Sequence, residues 1–274
     1  MTLTQALTTA SALGLDRLDA QLLLLQALGR DDGNRAWLLT HDCDLLAPVN
    51  EAVFLALARR RAAGEPLAYL TGHKEFYGLN LRVDARVLVP RPDTETLVDW
   101  TLELLRDVRL AHVIDLGTGS GAIALALKHT RPDWTLTALD ASPAALEVAQ
   151  TNARNLELDL QFQHGSWLQQ VPGRFDAIVS NPPYIAAQDH HLGALAHEPT
   201  QALSSGADGL HDIRQIIAQA PSRMLPNGWL LLEHGYNQAL AVRTLLSEAG
   251  FEDVRSRHDL SGIERCSGAR WRQR

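Results

Sequence analysis

From residue 111 onward the chain alternates short apolar runs with helical stretches, and the first join between them is the turn Asp115-Leu116-Gly117-Thr118-Gly119-Ser120-Gly121. This pattern constrains the fold more than any other feature. Strands are expected at 112–116, 134–139, 160–163, 177–180 and 229–233, with helices at 120–129, after Ser142 and at 238–249. Ser142 is a good N-cap, with Pro143 in the first helical turn, and Gly250 ends the last helix. The stretch 254–271 reads as a closing strand pair. Alternation of this kind predicts an α/β fold with a mostly parallel sheet and helices on both faces. Ligands of such sheets bind at the carboxyl ends of the strands.

The front of the chain has a different texture. Helices are expected at 4–13, 16–28, 35–39 and 49–63, with Gly14, Gly29, Gly33 and Gly64 at or after their ends. Leu22, Leu23, Leu25 and Leu28 predict a helix buried on more than one side. Alternation around Gly78 within 76–83 predicts a hairpin. The expected division is a helical domain over 1–74, a hairpin linker over 75–86 and a larger domain over 87–274. The 274 residues suffice for two domains, each with its own core.

Charge and composition narrow the function classes. A formal net charge of -7 argues against gripping nucleic acid by phosphate attraction. Two cysteines, Cys43 and Cys266, cannot build a disulfide framework, which fits a reducing compartment. The four leucines Leu22 to Leu25 fall far short of the roughly 20 apolar residues of a membrane span, and Met1 to Gln5 has no basic leader pattern. A cytoplasmic protein is expected.

Three motifs carry chemistry. Gly117, Thr118, Gly119, Ser120 and Gly121 form a strand-to-helix turn that lets a ligand approach the backbone. On its own such a turn is equally a structural device. Asp140 ends the next strand, 19 residues after Gly121, where a carboxylate can accept hydrogen bonds from both hydroxyls of an adenosine ribose. Its alternative role is to open the following helix beside Ser142. No phosphate-loop lysine follows the glycines, so a nucleotide triphosphatase is disfavoured. The third motif, Asn181-Pro182-Pro183-Tyr184, ends an apolar strand, since neither proline has an N–H to continue it. The Asn181 side-chain oxygen and the Pro182 carbonyl offer two acceptors to one planar NH2 group, and Tyr184 offers a face for it to stack on.

Together these resemble the S-adenosylmethionine-dependent amino-methyltransferases, whose target-nitrogen motif Asn181 to Tyr184 matches. Within them, Gly64 to Gly72, Glu75-Phe76-Tyr77-Gly78, Val89 to Glu95, Glu198-Pro199, Asp208-Gly209-Leu210 and Leu232-Glu233-His234-Gly235 are similar to the HemK-type peptide chain release factor glutamine methyltransferases. The resemblance runs over essentially the whole chain. It implies a Rossmann-like class I methyltransferase domain, with a mostly parallel seven-stranded sheet whose final strand is antiparallel, behind a helical substrate-recognition bundle. It further implies methylation of the N5 amide nitrogen of the glutamine in the Gly-Gly-Gln loop of release factors. Asn181, Pro182 and Tyr184 would be catalytic, and Asn181 to Tyr184 would bind substrate. Gly117, Thr118, Gly119, Ser120, Gly121, Asp140, Trp167 and Asn181 would bind S-adenosylmethionine. Ser166 departs from the acidic residue common before Trp167, which weakens any adenine contact there; Trp167 matches as an aromatic wall.

Other groupings are weighed beside this one. Glu198 and His197 are candidates to relay the released proton, or simply loop residues. Asp189, His190, His191, His197 and Glu198 cluster in sequence, but without zinc-ligand spacing, so no metal is expected. Arg59-Arg60-Arg61 favours a helix C-terminus and is otherwise expected to be solvated. Arg91 is expected against cofactor or substrate loop, or paired with Asp93 or Glu95. The competing functions are glutamine methylation of a ribosomal protein, N6-adenine methylation of nucleic acid and a non-catalytic cofactor-binding adaptor. A monomer is expected, with release factors as partners and no direct contact with nucleic acid or membrane.

Overall fold

A computed structural model describes residues 1–272. The chain forms two compact units, Met1–His73 and the remainder from Lys74.

The first unit is helical: α1 (Leu3–Ala12), α2 (Arg17–Ala27), α3 (Arg35–Thr40), α4 (Pro48–Ala62) and α5 (Leu67–Thr71). A reciprocal cap starts α1, with Gln5 N donating to Thr2 Oγ1 (3.2 Å) and Thr2 N donating to Gln5 Oε1 (2.8 Å). Asp16 caps α2 through Asp19 N. Leu23, Leu24 and Leu25 are all fully buried, so α2 is enclosed by α1, α4 and α5, with Phe54, Ala58, Ala6 and Leu70 in the same core. The basic run is not simply solvated: Arg60 pairs with Glu65 and Arg61 with Asp19, both at 2.5 Å. Helix α5 is absent from the sequence expectations, because five residues are too few to show a period.

A two-stranded sheet follows, β1 (His73–Phe76) and β2 (Leu79–Arg82). Its strands lie nearer the N-terminus than the expected 76–83, because the turn itself falls at Tyr77 and Gly78, both at positive φ. Next come α6 (Glu95–Leu104), β3 (His112–Leu116), α7 (Ala122–Thr130), β4 (Thr135–Asp140), α8 (Pro143–Asn155), β5 (Gln161–His164), β6 (Phe175–Ser180), α9 (His211–Gln219), β7 (Met224–Glu233), α10 (Ala239–Glu248), β8 (Glu252–His258) and β9 (Glu264–Arg270). Helix α7 starts two residues later than expected, since Gly121 takes a left-handed cap conformation (φ 86°). Ser120 and Gly121 therefore belong to the turn.

Seven strands pair in the order β5-β4-β3-β6-β7-β9-β8. All neighbours are parallel except at β9, which runs antiparallel to both β7 and β8. The strand order reverses between β3 and β6, and the register sets Leu116 opposite both Leu139 and Ser180. The carboxyl ends of β4, β3 and β6 are therefore level, and the crevice beyond them is where such a sheet binds ligand.

Period-two alternation divides the core into two layers. On β3, β6 and β7, Val113, Ala177, Val179, Trp229 and Leu231 pack with α6 and α7. Ile114, Leu116, Ile178, Leu230 and Leu232 pack with α9 and α10 on the other face. The same alternation sends Asp115 and Glu233 into the first layer, where both are buried. Asn152 of α8 joins two backbones there: it bonds both polar groups of Arg82 and donates to Ser120 O (2.9 Å), tying the hairpin to the glycine turn.

Candidate active site

The glycine turn is pinned from two sides. Gly117, Gly119 and Gly121 all adopt positive φ, which only glycine takes without strain. Gly119 N then donates to Asp140 Oδ2 (2.8 Å), while Ser142 N donates to Asp140 Oδ1 (2.8 Å). Asp140 therefore holds Ser142, the N-cap of α8, and each of its oxygens retains a lone pair. Burial raises its pKa above the ordinary carboxylate value, opposed by the N–H donors at Ser142 and Gly119. Asp115 lies beneath the turn, accepting from Thr118 Oγ1 (2.6 Å) and fully buried; desolvation pushes its pKa up to about 7.

A cleft of about 230 Å³ opens over these groups, lined by Gly117, Gly119, Asp140, Trp167, Asn181 and Pro183 among others. Thr118, Ser120 and Gly121 do not line it. They build the turn from behind, Thr118 through Asp115 and Ser120 through Asn152. The Trp167 ring lies against Gly117, its Nε1 donates to Asp212 Oδ1 (3.2 Å), and its backbone is held at φ 47°. Such left-handed strain in an aromatic residue persists where surrounding structure fixes it. Ser166 also lines the cleft, as does Asp212. Asp212 lies on α9, a helix absent from the sequence expectations, and is held by Ser205 Oγ (2.7 Å). The cleft thus combines acidic acceptors with apolar and aromatic walls from Leu139, Ala145, Pro183 and Trp167. That set of acceptors suits an adenosine with a free ribose, so the residues present fit S-adenosylmethionine.

The Asn181–Tyr184 loop leaves β6 at the edge of this cleft. Asn181 Nδ2 donates to Thr94 Oγ1 (3.2 Å), and Oδ1 is not engaged in that bond. Pro182 is buried and does not line the cleft. Tyr184 also stands back from it: its ring packs with the α9–α10 layer and its hydroxyl reaches Glu233 Oε1 (3.4 Å). Burial and the Glu233 charge raise the Tyr184 pKa, so the phenol stays protonated. Behind the loop, Gly209 (φ 74°) admits the chain so closely that a Cβ there would lie 2.3 Å from Tyr184 O. Gln238 Nε2 donates to that same carbonyl (3.0 Å).

Two sequence expectations are corrected. Glu198 is not placed to relay a proton: it is buried, with one oxygen paired to Arg91 and the other accepting from Val89 N (3.1 Å). Arg91 accordingly pairs with neither Asp93 nor Glu95. Asp189, His190 and His191 do come within reach of one another, but the histidines are exposed and His191 Nδ1 is bonded to Asp189 Oδ1 (2.7 Å).

Glu233 is the site residue whose role the sequence conceals. It is 1% exposed, its Oε2 has no hydrogen-bond partner among the described residues, and desolvation pushes its pKa up to about 7 against the opposing influence of Thr94, Arg265 and Tyr184. Between its ordinary value of 4.5 and about 7, the folded protein keeps a proton that the unfolded chain has released. Stability therefore falls as pH rises through that window. A Glu233→Gln protein escapes this loss. Its melting temperature is expected to match wild type near pH 5 and to exceed it by about 5 °C near pH 8. A difference that does not change with pH would contradict this.

Comparison with known proteins adds the following. Residues 2–72 match the PrmC N-terminal domain family and residues 95–258 the methyltransferase small domain family. The chain is 46% identical to the release factor glutamine methyltransferase of Coxiella burnetii, covering 98% of this chain and 96% of that protein. It is 50% identical to that of Burkholderia pseudomallei, covering 93% and 92%. Among solved structures it resembles the T. thermophilus 16S rRNA methyltransferase in complex with AdoMet and guanosine. The TM-score is 0.55 with 20% identity, covering 73% of this chain and 50% of that one, a likeness of fold.

Proposed function

The chain belongs to the release factor glutamine methyltransferases, and from that premise we propose that the cleft at β3, β4 and β6 holds S-adenosylmethionine while the Asn181–Tyr184 loop holds the target glutamine amide. The enzyme uses S-adenosylmethionine to methylate a glutamine side chain of a release factor, at N5 of the Gly-Gly-Gln loop. One observation carries the assignment of the site: Asn181, with its Nδ2 committed to Thr94, lines the same cleft as Asp140 and Gly117.

The cofactor supplies an electrophilic methyl group on a sulfonium. The protein's task is the nucleophile, because an amide nitrogen shares its lone pair with its carbonyl and is nearly inert. Asn181 Oδ1 and the Pro182 carbonyl accept the two amide hydrogens and fix the nitrogen. Orientation of this kind lowers a barrier by up to about 7–11 kcal/mol. The same acceptors stabilise positive charge as it develops on nitrogen. Asp140 and the glycine turn would hold the ribose, and Trp167 would wall the adenine. Tyr184 serves the loop from behind rather than as a stacking face. With both Glu198 oxygens engaged, the proton leaves to solvent once the N–C bond makes it acidic. The enzyme works as a cytoplasmic monomer that contacts the release factor directly and does not grip nucleic acid.

Labelled S-adenosylmethionine offered with a release factor, a ribosomal protein and DNA side by side tests this. Label is expected in the release factor. Label confined to the ribosomal protein or to DNA contradicts the substrate assignment, and no label in any of them contradicts the enzymatic one.

A further inference from the structure

The Asn181–Tyr184 loop needs a hold from outside itself, because neither Pro182 nor Pro183 has an N–H with which to bond its surroundings. We propose that Gln238 is a positioning residue for methyl transfer: its side-chain amide clamps the Tyr184 carbonyl and thereby sets where the Asn181 and Pro182 acceptors stand. This rests on the reading of the loop as the holder of the target amide.

Gln238 stands at the start of α10, yet its side chain does not cap that helix. It is 9% exposed and bridges two loops instead. Gly235 N donates to Gln238 Oε1 (2.8 Å), while Gln238 Nε2 donates to Tyr184 O (3.0 Å) and, more weakly, to Asp208 O (3.5 Å). The orientation of this amide is forced by its partners. A backbone N–H only donates and a carbonyl only accepts, so the oxygen faces Gly235 and the NH2 faces Tyr184. Gly209 closes the slot from a third side: at φ 74°, a Cβ there would lie 2.3 Å from Tyr184 O and 2.8 Å from Gln238 Nε2.

Both ends of the clamp are themselves held. Gly235 O accepts from Gln238 N and from His234 Nδ1, each at 3.0 Å. Since that carbonyl cannot donate, the neutral His234 ring carries its hydrogen on Nδ1 and accepts from Ser267 Oγ at Nε2 (2.7 Å). Burial lowers the His234 pKa, which keeps the ring neutral. Ser256 stands behind Ser267 (2.7 Å), and Arg243 of α10 donates to Ser256 (2.6 Å). On the other side, Ile185 N donates to Leu203 O and Ser205 N to Ile185 O, both at 2.9 Å. The loop is therefore fixed by β6 before Asn181 and by Tyr184 and Ile185 after Pro183. Proline fixes φ, so the stretch between these anchors is stiff, and a shift of the Tyr184 carbonyl reaches the Pro182 carbonyl and Asn181.

The test compares Gln238→Glu and Gln238→Met in steady-state methylation of a release factor, with cofactor affinity measured by calorimetry. Methionine has nearly the length of glutamine but no donor. Glutamate has its shape, but near pH 8 the ionised carboxylate sets an oxygen against Tyr184 O. Both variants are expected to lower kcat by about 10- to 100-fold there, the scale of a misplaced reacting group, with cofactor Kd unaltered. Below its pKa, which burial raises, the glutamic acid keeps a C=O for Gly235 N and gains an O–H for Tyr184 O. The kcat of Gln238→Glu relative to wild type is therefore expected to climb as pH falls toward 5, while that of Gln238→Met stays low throughout. Asp208, held ionised by Arg214, does not titrate in this range. Glu233 and His234 are present in all three proteins, so the ratio to wild type removes them. Thermal melting establishes that each variant is folded, and Gln238→Met decides alone if the carboxylate unfolds the protein. Wild-type kcat in Gln238→Met overturns the proposal, as does a loss in folded Gln238→Glu that pH leaves unchanged, or a loss of rate matched by an equal loss of cofactor affinity. If Asn181→Ala is slow while Gln238→Met is fast, only this inference fails. If Asn181→Ala is itself fast, the reading of the loop falls and this inference with it.

Discussion

An Asn181→Ala enzyme is expected to bind S-adenosylmethionine about as well as wild type and to transfer its methyl group more slowly by on the order of 10²–10³-fold. The reasoning is electrostatic and geometric. Asn181 Oδ1 is one of two acceptors for the target NH2 group, and it acts most strongly when the nitrogen gains positive charge. Alanine removes that acceptor and leaves Thr94 Oγ1, now buried without its donor. Neither change touches Asp140 or the glycine turn, which hold the cofactor side of the cleft. Single-turnover label transfer and calorimetry separate the two effects. Wild-type transfer, or a loss of cofactor binding equal to the loss of rate, would place the loop's role elsewhere.

Asp140→Ala is expected to show the reverse pattern: cofactor affinity weakens by about 100-fold or more, while turnover at saturating cofactor falls much less. A hydrogen bond to a charged group is worth about 1.5–3 kcal/mol, and the ribose loses two. The carboxylate also holds Gly119 N and Ser142 N, so its removal frees the turn and loosens the Ser142 cap of α8 at once. Calorimetric titration of cofactor into the variant measures the effect. Retention of wild-type affinity would mean that Asp140 only opens the helix, the alternative the sequence leaves standing.

Much of this architecture is readable before any coordinates. Gly117 to Gly121, Asp140 and Asn181 to Tyr184 are each local signals, since a tight turn, a strand end and a proline stop are determined by neighbours in sequence. The antiparallel last strand follows from the family resemblance. Helix α9 is absent from the sequence expectations even though Ile213, Ile216, Ile217 and Ala220 carry helical spacing. The surrounding glycines and prolines disguise it as part of a long loop, and Asp212 is hidden with it. Thr94 and Glu233 are hidden for a different reason. Thr94 reads as an ordinary helix start and Glu233 as a strand end. What each touches, Asn181 for Thr94 and Tyr184 for Glu233, is a fact of topology rather than of spacing. The same holds for Arg91 and Glu198, joined across 107 positions. The partner of the Asn181 NH2 group could not be read either, because it lies 87 residues away.

The central claim is that this chain methylates a glutamine amide of a release factor through the Asn181 loop. Its most direct test is peptide mapping of a release factor after incubation with the enzyme and labelled S-adenosylmethionine. The substrate is offered with its loop glutamine intact or replaced by glutamate, which has the same shape but no NH2. The account predicts one methyl group on that glutamine in the first case and none in the second. A methyl group on any other residue, or label retained after the glutamate replacement, would contradict it.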